Sequence, residues 1–393
     1  MRMAKLSSLC TLFTDGDWIE SKDQATSGIR LIQTGNIGEG CFFEKEGKEK
    51  YISEDTFEAL KCKEVFSGDI LISRLPEPVG RACIVPEKAE KMITAVDCSI
   101  CRVNEALIDK RYLCYFLQSN SYYQQLENSV SGTTRKRISR KNLGEVEVGI
   151  PSAEKQQEVI DILDKITAII QGMYTELENL DNLIKARFVE LFGDISTADY
   201  KYETRKLGDV ANVGSSHRVF TTEFVEYGIP FYRGTEIGEL ANGIKPTEPY
   251  YISEEHYNRL ANDDTKPQIG DLLMPSICNK GQVWMVDTDE PFYYKDGRVL
   301  CISPDREIFD TRYLEYFMRA KTLVEYPKLG SGSTFAEFKI FLLKDIDVLI
   351  PPMELQEQFA DFVRQTDKSK VAVQKALEKA KLLFDSLMQE YFG

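Results

Sequence analysis

The run Ser-Gly-Thr-Thr-Arg-Lys-Arg-Ile-Ser-Arg-Lys-Asn-Leu at 131–143 is the chemically most pointed part of this chain. Arg135, Lys136, Arg137, Arg140 and Lys141 place five cations there with no acid among them. Ser131, Thr133 and Thr134 add hydroxyls, and Gly132 leaves room for another backbone to approach. Such a segment can donate to phosphate oxygens through side chains and backbone amides alike. Further along, SGST (331–334) repeats the frame, but FAEFKIFLLK (335–344) replaces the cationic run. Ser333, Thr334 and Lys339 are the candidate contacts of this second segment. Two loops that follow a Gly-Asp-x-Leu strand add Arg74 and Arg81 (loop 71–84) and Ser276, Asn279 and Lys280 (loop 272–286). Arg, Lys and Asn are the side chains that read guanine and adenine edges in a major groove.

Signatures of catalysis are scarce. The two histidines, His217 and His256, stand near neither a cysteine pair nor each other in sequence. That gives little to a zinc site or a Ser–His dyad. There is no GxxxxGK[ST] phosphate loop and no GxGxxG after a strand. The NPP[YF] tetrad and glycine-rich cofactor loop of an adenine methyltransferase are also missing. Asp263, Asp264 and Lys266 read as a solvated turn and not as a nuclease cluster. No catalytic residue and no metal ligand is assigned.

What must position these loops is a unit of about 200 residues written twice. Ile150, Pro151, Glu154 and Gln156 return as Ile350, Pro351, Glu354 and Gln356; Tyr51-Ile52-Ser53-Glu54 returns as Tyr251-Ile252-Ser253-Glu254; Phe192-Gly193 returns as Phe392-Gly393. The repeat is far too long for a solenoid. It predicts a duplicated pair of domains with an internal pseudo-two-fold, suited to reading two places on a partner. The loops differ most between 14–28 and 214–228, as two sites of different specificity would.

The helical parts are the clearest. Leu163, Ile166, Ile170, Met173, Leu177, Leu180 and Ile184 follow heptad spacing, broken at Arg187. The second copy keeps the frame with Val363, Val373, Leu377, Phe384 and Leu387, interrupted by Thr366 and Lys370. This is a coiled-coil seam. Each helix of about 39 residues would span roughly 58 Å, and the two copies are expected to pair antiparallel. Ser152 can cap the first helix and Gly193 can end it.

Before each helix, the chain reads as short strands: 68–74, 81–85, 91–96 and 99–103, then 270–276, 281–286 and 298–303. An amphipathic helix follows each set, at 111–118 and 312–319. Strands followed by a helix predict an α+β fold. The expected domains are 1–150, helix 151–195, 196–350 and helix 351–393.

The net charge of −14 at first opposes nucleic-acid binding. The acid is spread over every segment, however, and 1–150 carries a net of only −1. A local basic face survives, although a chain this acidic should bind DNA weakly without a basic partner. Nine scattered cysteines read as reduced thiols. Cys98 and Cys101 form a lone CxxC in a strand-like run that points their sulfurs to opposite faces. No run approaches the 18 apolar residues of a membrane span, and no apolar segment of signal-peptide length opens the chain, so the cytoplasm is the expected compartment.

Over its whole length the chain resembles the specificity subunits of type I DNA restriction–modification systems. The resemblance rests on residues 16–40, the GDILISR and GDLLMPS strands, the SGTT and SGST turns, and the helix starts IPSAEKQQEVIDIL (150–163) and IPPMELQEQFADF (350–362). The last two are similar to the family's Pro-Pro-x-x-Glu-Gln helix start. The first copy departs from it with Ser152 for the second proline and Gln157 near the acidic-Gln pair. The resemblance implies two target-recognition domains, each reading one half of a split sequence in double-stranded DNA. It implies two helices that set the gap and dock two methyltransferase subunits. S-adenosylmethionine would be held by those partners, and ATP and Mg by motor-nuclease subunits, with no cofactor on this chain. The competing readings are a coiled-coil protein–protein adaptor that never touches DNA and a self-contained methyltransferase or nuclease. The first is opposed by the 131–143 segment, the second by the missing motifs.

Overall fold

The computed structural model describes residues 2–127, 129, 136–261, 265–329 and 336–393. It is a mixed α/β protein in two compact units: Met1–Tyr174 with Gln374–Gly393, and Thr175–Val373. Each unit holds one strand-rich domain and one half of each of two 40-residue helices, Ala153–Phe192 and Met353–Phe392.

The two domains repeat one topology. In the first, Cys10–Asp15, Cys98–Val103, Ile70–Ser73 and Ala82–Ile84 form an antiparallel four-stranded sheet in that order. In the second, Ala211–Gly214, Val299–Pro304, Leu272–Pro275 and Trp284–Met285 stand in the same order. A second sheet in each unit pairs one strand in parallel, Ile29–Ile32 with Met92–Thr94 and Ile229–Tyr232 with Tyr293–Tyr294. The amphipathic helices expected after the strands are Lys110–Phe116 and Thr311–Glu325.

The sequence echoes have local reasons. Tyr-Ile-Ser-Glu recurs because Ser53 and Ser253 cap short helices, each Oγ accepting a backbone N–H at 3.1 Å, from Thr56 and His256. This satisfies a donor that the helix start would otherwise leave unpaired. Gly28 and Gly228 have φ of +127° and +153°, and a Cβ on either would meet the carbonyl oxygen of Ile52 or Ile252 at 2.4 Å, so no other residue fits. Cys98 and Cys101 lie in different hydrophobic clusters, on opposite faces of their strand. Cys101 Sγ instead sits 2.8 Å from Cys10 Sγ. The expected strand 91–96 is shorter, Met92–Thr94, because the chain turns at Ala95–Asp97 to bring Cys98 into the central strand.

The long helices complete both cores. In the first unit, Val159, Ile160, Leu163, Met388 and Phe392 join the domain core, and Phe392 packs on Tyr112 and Phe116 with ring centroids 5.2 and 6.2 Å apart. In the second, Ile184, Phe188, Phe192, Phe359 and Val363 do the same, with Phe359 against Phe188 at 5.4 Å and Phe192 at 5.6 Å. Leu163, Ile166, Ile170, Met173, Leu177, Leu180 and Ile184 are buried or half-buried, as are Val363, Val373, Leu377, Phe384 and Leu387. The polar interruptions are accommodated. Thr366 Oγ1 donates to Phe362 O at 2.9 Å, Lys370 pairs with Asp181, and Arg187 pairs with Glu190 at 2.7 Å. Within the first unit Lys155 lies over Tyr391 and Lys381 over Tyr174, so ascending positions of one helix meet descending positions of the other.

No described helix is long and apolar enough to cross a membrane.

Candidate nucleic-acid interface

In the first domain three chain segments meet at one edge: residues 14–18, the 95–97 turn and residues 136–141. Arg74 joins them from below. Its side chain is only 5% exposed. Nη2 donates to Val96 O at 2.6 Å, Nη1 to Ile138 O at 3.4 Å, and Nε lies 3.3 Å from Asp15 Oδ1. Burial lowers its pKa from the usual guanidinium value, with Arg137 adding to the effect and Asp15 and Asp97 opposing it. The Arg74 backbone also bonds both other segments, its N–H to Asp97 O at 2.9 Å and its O to the Ile138 N–H at 3.3 Å.

Several expectations from sequence therefore need correction. Arg74 does not face a base edge; it clamps the basic segment to the sheet. Arg81 is 9% exposed and spends its donors on the carbonyls of Ile37, Leu75, Pro78 and Thr34, at 2.6, 2.9, 3.1 and 2.8 Å. Ser276, the counterpart of Arg74, is buried as well. A buried guanidinium must find acceptors inside the protein, and these loops supply carbonyls. Asn279 and Lys280 are exposed. Lys280 borders another surface of the second unit, a cleft of about 1040 Å³ whose walls include Asp181, Trp284, Arg319 and Lys370.

The cations of the first segment do reach the surface. Lys136, Arg137, Arg140 and Lys141 are exposed. Arg137 Nη2 pairs with Asp97 Oδ1 at 2.8 Å, and Arg140 Nη1 donates to Thr14 Oγ1 at 3.4 Å. Ser139 caps the short helix Arg140–Gly144 and so fixes where Arg140 and Lys141 project. Thr133, Thr134, Arg135, Ser333 and Thr334 lie outside the described residues.

The second domain builds the same edge with other side chains. The Ser276 N–H donates to Arg298 O at 2.9 Å and the Phe338 N–H to Ser276 O at 2.7 Å, the counterparts of the Arg74 backbone bonds. Here Arg298 Nη1 donates to Glu337 Oε2 at 2.6 Å. The pair Asp97–Arg137 of the first domain is thus present with its charges exchanged. Lys339 is exposed at the start of the helix Ile340–Lys344. Sequence reasoning did not find Asp97, Arg298 or Glu337, because each partner is about 40 residues away and the charges reverse between copies.

Among the described residues, no group of three or more His, Cys, Asp or Glu side chains is gathered as a metal site.

Comparison with known proteins agrees with this duplicated build. The model of the type I restriction modification DNA specificity domain matches residues 1–179 and again 200–382. The chain belongs to that family. It is 23% identical over 289 residues to the putative type I restriction enzyme specificity subunit S.HindORF215P of Haemophilus influenzae, covering 72% of this chain and 70% of the relative. It is 22% identical over 393 residues to the type I restriction enzyme MjaIX specificity subunit of Methanocaldococcus jannaschii, covering 95% and 85%. The fold is similar to the crystal structure of the S subunit of a type I restriction-modification system from M. genitalium (TM-score 0.55, 15% identity, 100% and 96% of the two chains). It is also similar to a chain from a study of complex assembly and conformational transition in the type I R-M system (TM-score 0.57, 17% identity, 100% and 97%).

Proposed function

We propose that this chain is the sequence-reading subunit of a type I restriction–modification complex, with each domain reading one half of a split target in double-stranded DNA. The observation that carries the reading is the edge built twice on one frame with exchanged charges, Asp97–Arg137 in one copy and Arg298–Glu337 in the other. Two equal frames with unequal surfaces suit two different half-sites. The cations at 136–141 supply phosphate contacts, which position a protein on the duplex without choosing a sequence.

In this reading residues 1–150 and 196–350 are the recognition domains. Residues 151–195 and 351–393 form an antiparallel coiled-coil spacer, supported by the buried heptad positions and the opposed contacts of the two helices. Two half-sites one helical turn apart lie roughly 34 Å from each other, which a spacer of about 60 Å accommodates. The chain itself is non-catalytic. Two methyltransferase subunits bring S-adenosylmethionine, flip the target adenine and add cationic surface that offsets the charge of −14. Motor-nuclease subunits bring ATP and Mg. The exposed apolar side chains Ile169, Tyr174, Leu183, Val371, Leu382 and Leu383 on the long helices suit protein docking. The whole assembly works where the DNA is, in the cytoplasm. A pure adaptor role is not favoured by the family match.

The test is a methylome. The chain is co-expressed with its neighbouring methyltransferase in a methylation-free host, and methylated adenines are mapped by single-molecule sequencing. A split, asymmetric motif that depends on this chain is expected, and exchanging residues 1–150 for another recognition domain should change one half only. A stable complex that adds no methylation would sink the reading.

A further inference from the structure

We infer that the turn opening each domain is a second base-reading element, with Trp18 as its tip in the first domain and Arg218 and Phe220 in the second. This inference rests on the DNA-reading role proposed above and assigns residues within it.

The two turns share one scaffold. In the first, the Glu20 N–H donates to Asp23 Oδ2 at 2.9 Å, closing the 3₁₀ turn Ser21–Asp23. In the second, the Phe220 N–H donates to Glu223 Oε2 at 2.7 Å, closing Thr221–Glu223. Beneath each lies an apolar anchor, half-buried Ile19 or buried Val219. The first turn is also held hard against the sheet. A Cβ on Gly16 would meet Thr94 O at 2.3 Å and Ala95 O at 2.4 Å, so only glycine permits that approach.

On this scaffold the side chains beside the anchor face water. Trp18 is 68% exposed and Phe220 58%, while the Arg218 side chain is 71% exposed. Among surface positions, large rings are enriched where a partner docks, because they bury much area at little entropic cost. Arg218 lies over the Phe220 ring at 5.4 Å, an arrangement that holds a planar fork of donors outward. A guanidinium so held can bond guanine bidentately, and an aromatic edge can meet a thymine methyl or stack on a base.

The location of the first turn beside the exposed Lys136, Arg137, Arg140 and Lys141 points to DNA as the occupant. The Gly16 N–H bonds Cys98 O at 2.8 Å and the Asp17 N–H bonds Thr94 O at 2.8 Å, while Asp15 and Thr14 meet Arg74 and Arg140. Trp18 therefore continues the edge that carries Lys136, Arg137, Arg140 and Lys141. In the second domain Ser215 Oγ donates to Val299 O at 2.7 Å, and Arg218 lies 4.0 Å from Asp296, two residues from Arg298. The turn again joins the charged edge. Between 14–28 and 214–228 the exposed positions change from Trp18 and Glu20 to Arg218 and Phe220, while the apolar anchor (Ile19, Val219), the acid that closes the turn (Asp23, Glu223) and Gly28 or Gly228 keep their character.

The test uses the full chain with its methyltransferase in the methylome assay, with Trp18→Ala and, separately, Arg218→Ala/Phe220→Ser. The first half-motif is defined as the one that changes when residues 1–150 are exchanged. Trp18→Ala should lower methylation of the wild-type motif about tenfold or relax a position within the first half only. The Arg218/Phe220 variant should do the same to the second half only. Unchanged motif and occupancy in both variants, or equal relaxation of both halves, would overturn the inference while leaving the DNA-reading role in place. A wild-type complex that adds no methylation would overturn both. Trp18→Phe keeps the ring and controls for folding: it should preserve more occupancy than Trp18→Ala at an unchanged melting temperature, and equal loss with a lowered melting temperature would count against a reading role.

Discussion

Gln156 Oε1 accepts the backbone N–H of Asp109 at 2.9 Å, and two hundred residues later Gln356 Oε1 accepts that of Asp310 at 3.0 Å. Each aspartate caps the helix that packs on the sheet, so the glutamine at the start of each long helix is bolted to the start of another. Gln356 also donates to Ile308 O at 2.9 Å and Pro351 O at 2.8 Å and is fully buried. This is the physical content of the glutamine in both helix starts. Gln356→Leu strands a buried N–H and two carbonyls and should cost about 1–3 kcal/mol. Gln156→Leu, where the side chain keeps slight exposure, should cost less. Urea unfolding would show this order, and equal midpoints for both variants and wild type would contradict it.

The exchanged pairs make a sharper test. Asp97→Arg sets two guanidiniums against each other at the first edge, while Asp97→Arg/Arg137→Glu rebuilds there the polarity of Arg298–Glu337. Both pairs are partly exposed, so the bridge itself is worth only about 0.2–1 kcal/mol. The double variant should match wild-type thermal stability yet lose methylation at the first half-motif. If the double variant methylates the wild-type motif normally, Arg137 does not face DNA.

Stability and binding should separate cleanly between buried and surface arginines. Arg81→Leu removes the donors of four carbonyls and should destabilise by on the order of 3 kcal/mol or more. Lys136→Ala and Arg140→Ala should leave the melting temperature nearly unchanged. Instead they should flatten the salt dependence of DNA binding by the assembled complex, by roughly one unit of log–log slope for each phosphate no longer neutralised. A lowered melting temperature with an unchanged slope would reverse their roles.

Much of this was legible in the sequence. Heptad spacing marked both long helices, because a 3.5-residue period survives whatever the helix packs on. The repeated Tyr-Ile-Ser-Glu and Ile-Pro runs marked scaffold, since caps and the Gln156 bolt need fixed residue types. The reading faltered at Arg74, Arg81 and Ser276. An arginine after a strand looks like a surface donor, and nothing local announces that carbonyls 22 to 64 residues away will bury it. The edge itself was half visible: its cations stood out, while Asp97, Arg298 and Glu337 acquire meaning only through contacts across the fold.

Buried thiols and phenols predict the alkaline limit. Burial pushes Cys98, Cys114 and Cys301 from an ordinary 9.0 to about 12, and Tyr112 from 10.0 to about 12. A folded pKa above the unfolded one contributes stability that is complete below the unfolded value and is lost as pH rises through the folded value. Stability should therefore hold to about pH 9 and then fall towards pH 12, with the urea midpoint dropping across that window. Cys98→Ala/Cys301→Ala should shallow the drop, and an identical profile in that variant would show that other groups control it.

The long helices offer a test of assembly. Leu183 and Leu383 are equivalent in the repeat, and both are exposed, as is Leu382. Solvent-facing leucines at equivalent points on two helices suit two copies of one partner, each on its own pseudo-equivalent site. Aspartate at an exposed helical position costs little, within about 0.5 kcal/mol in most surface settings, so Leu183→Asp and Leu382→Asp/Leu383→Asp should fold normally. If the proposed pair of methyltransferase subunits docks on these helices, each variant should remove one of them and the triple variant both. Light scattering of the purified complexes reads the stoichiometry directly. If the triple variant still carries two methyltransferase subunits, these leucines lie outside the docking surface, and the partners must grip the recognition domains instead.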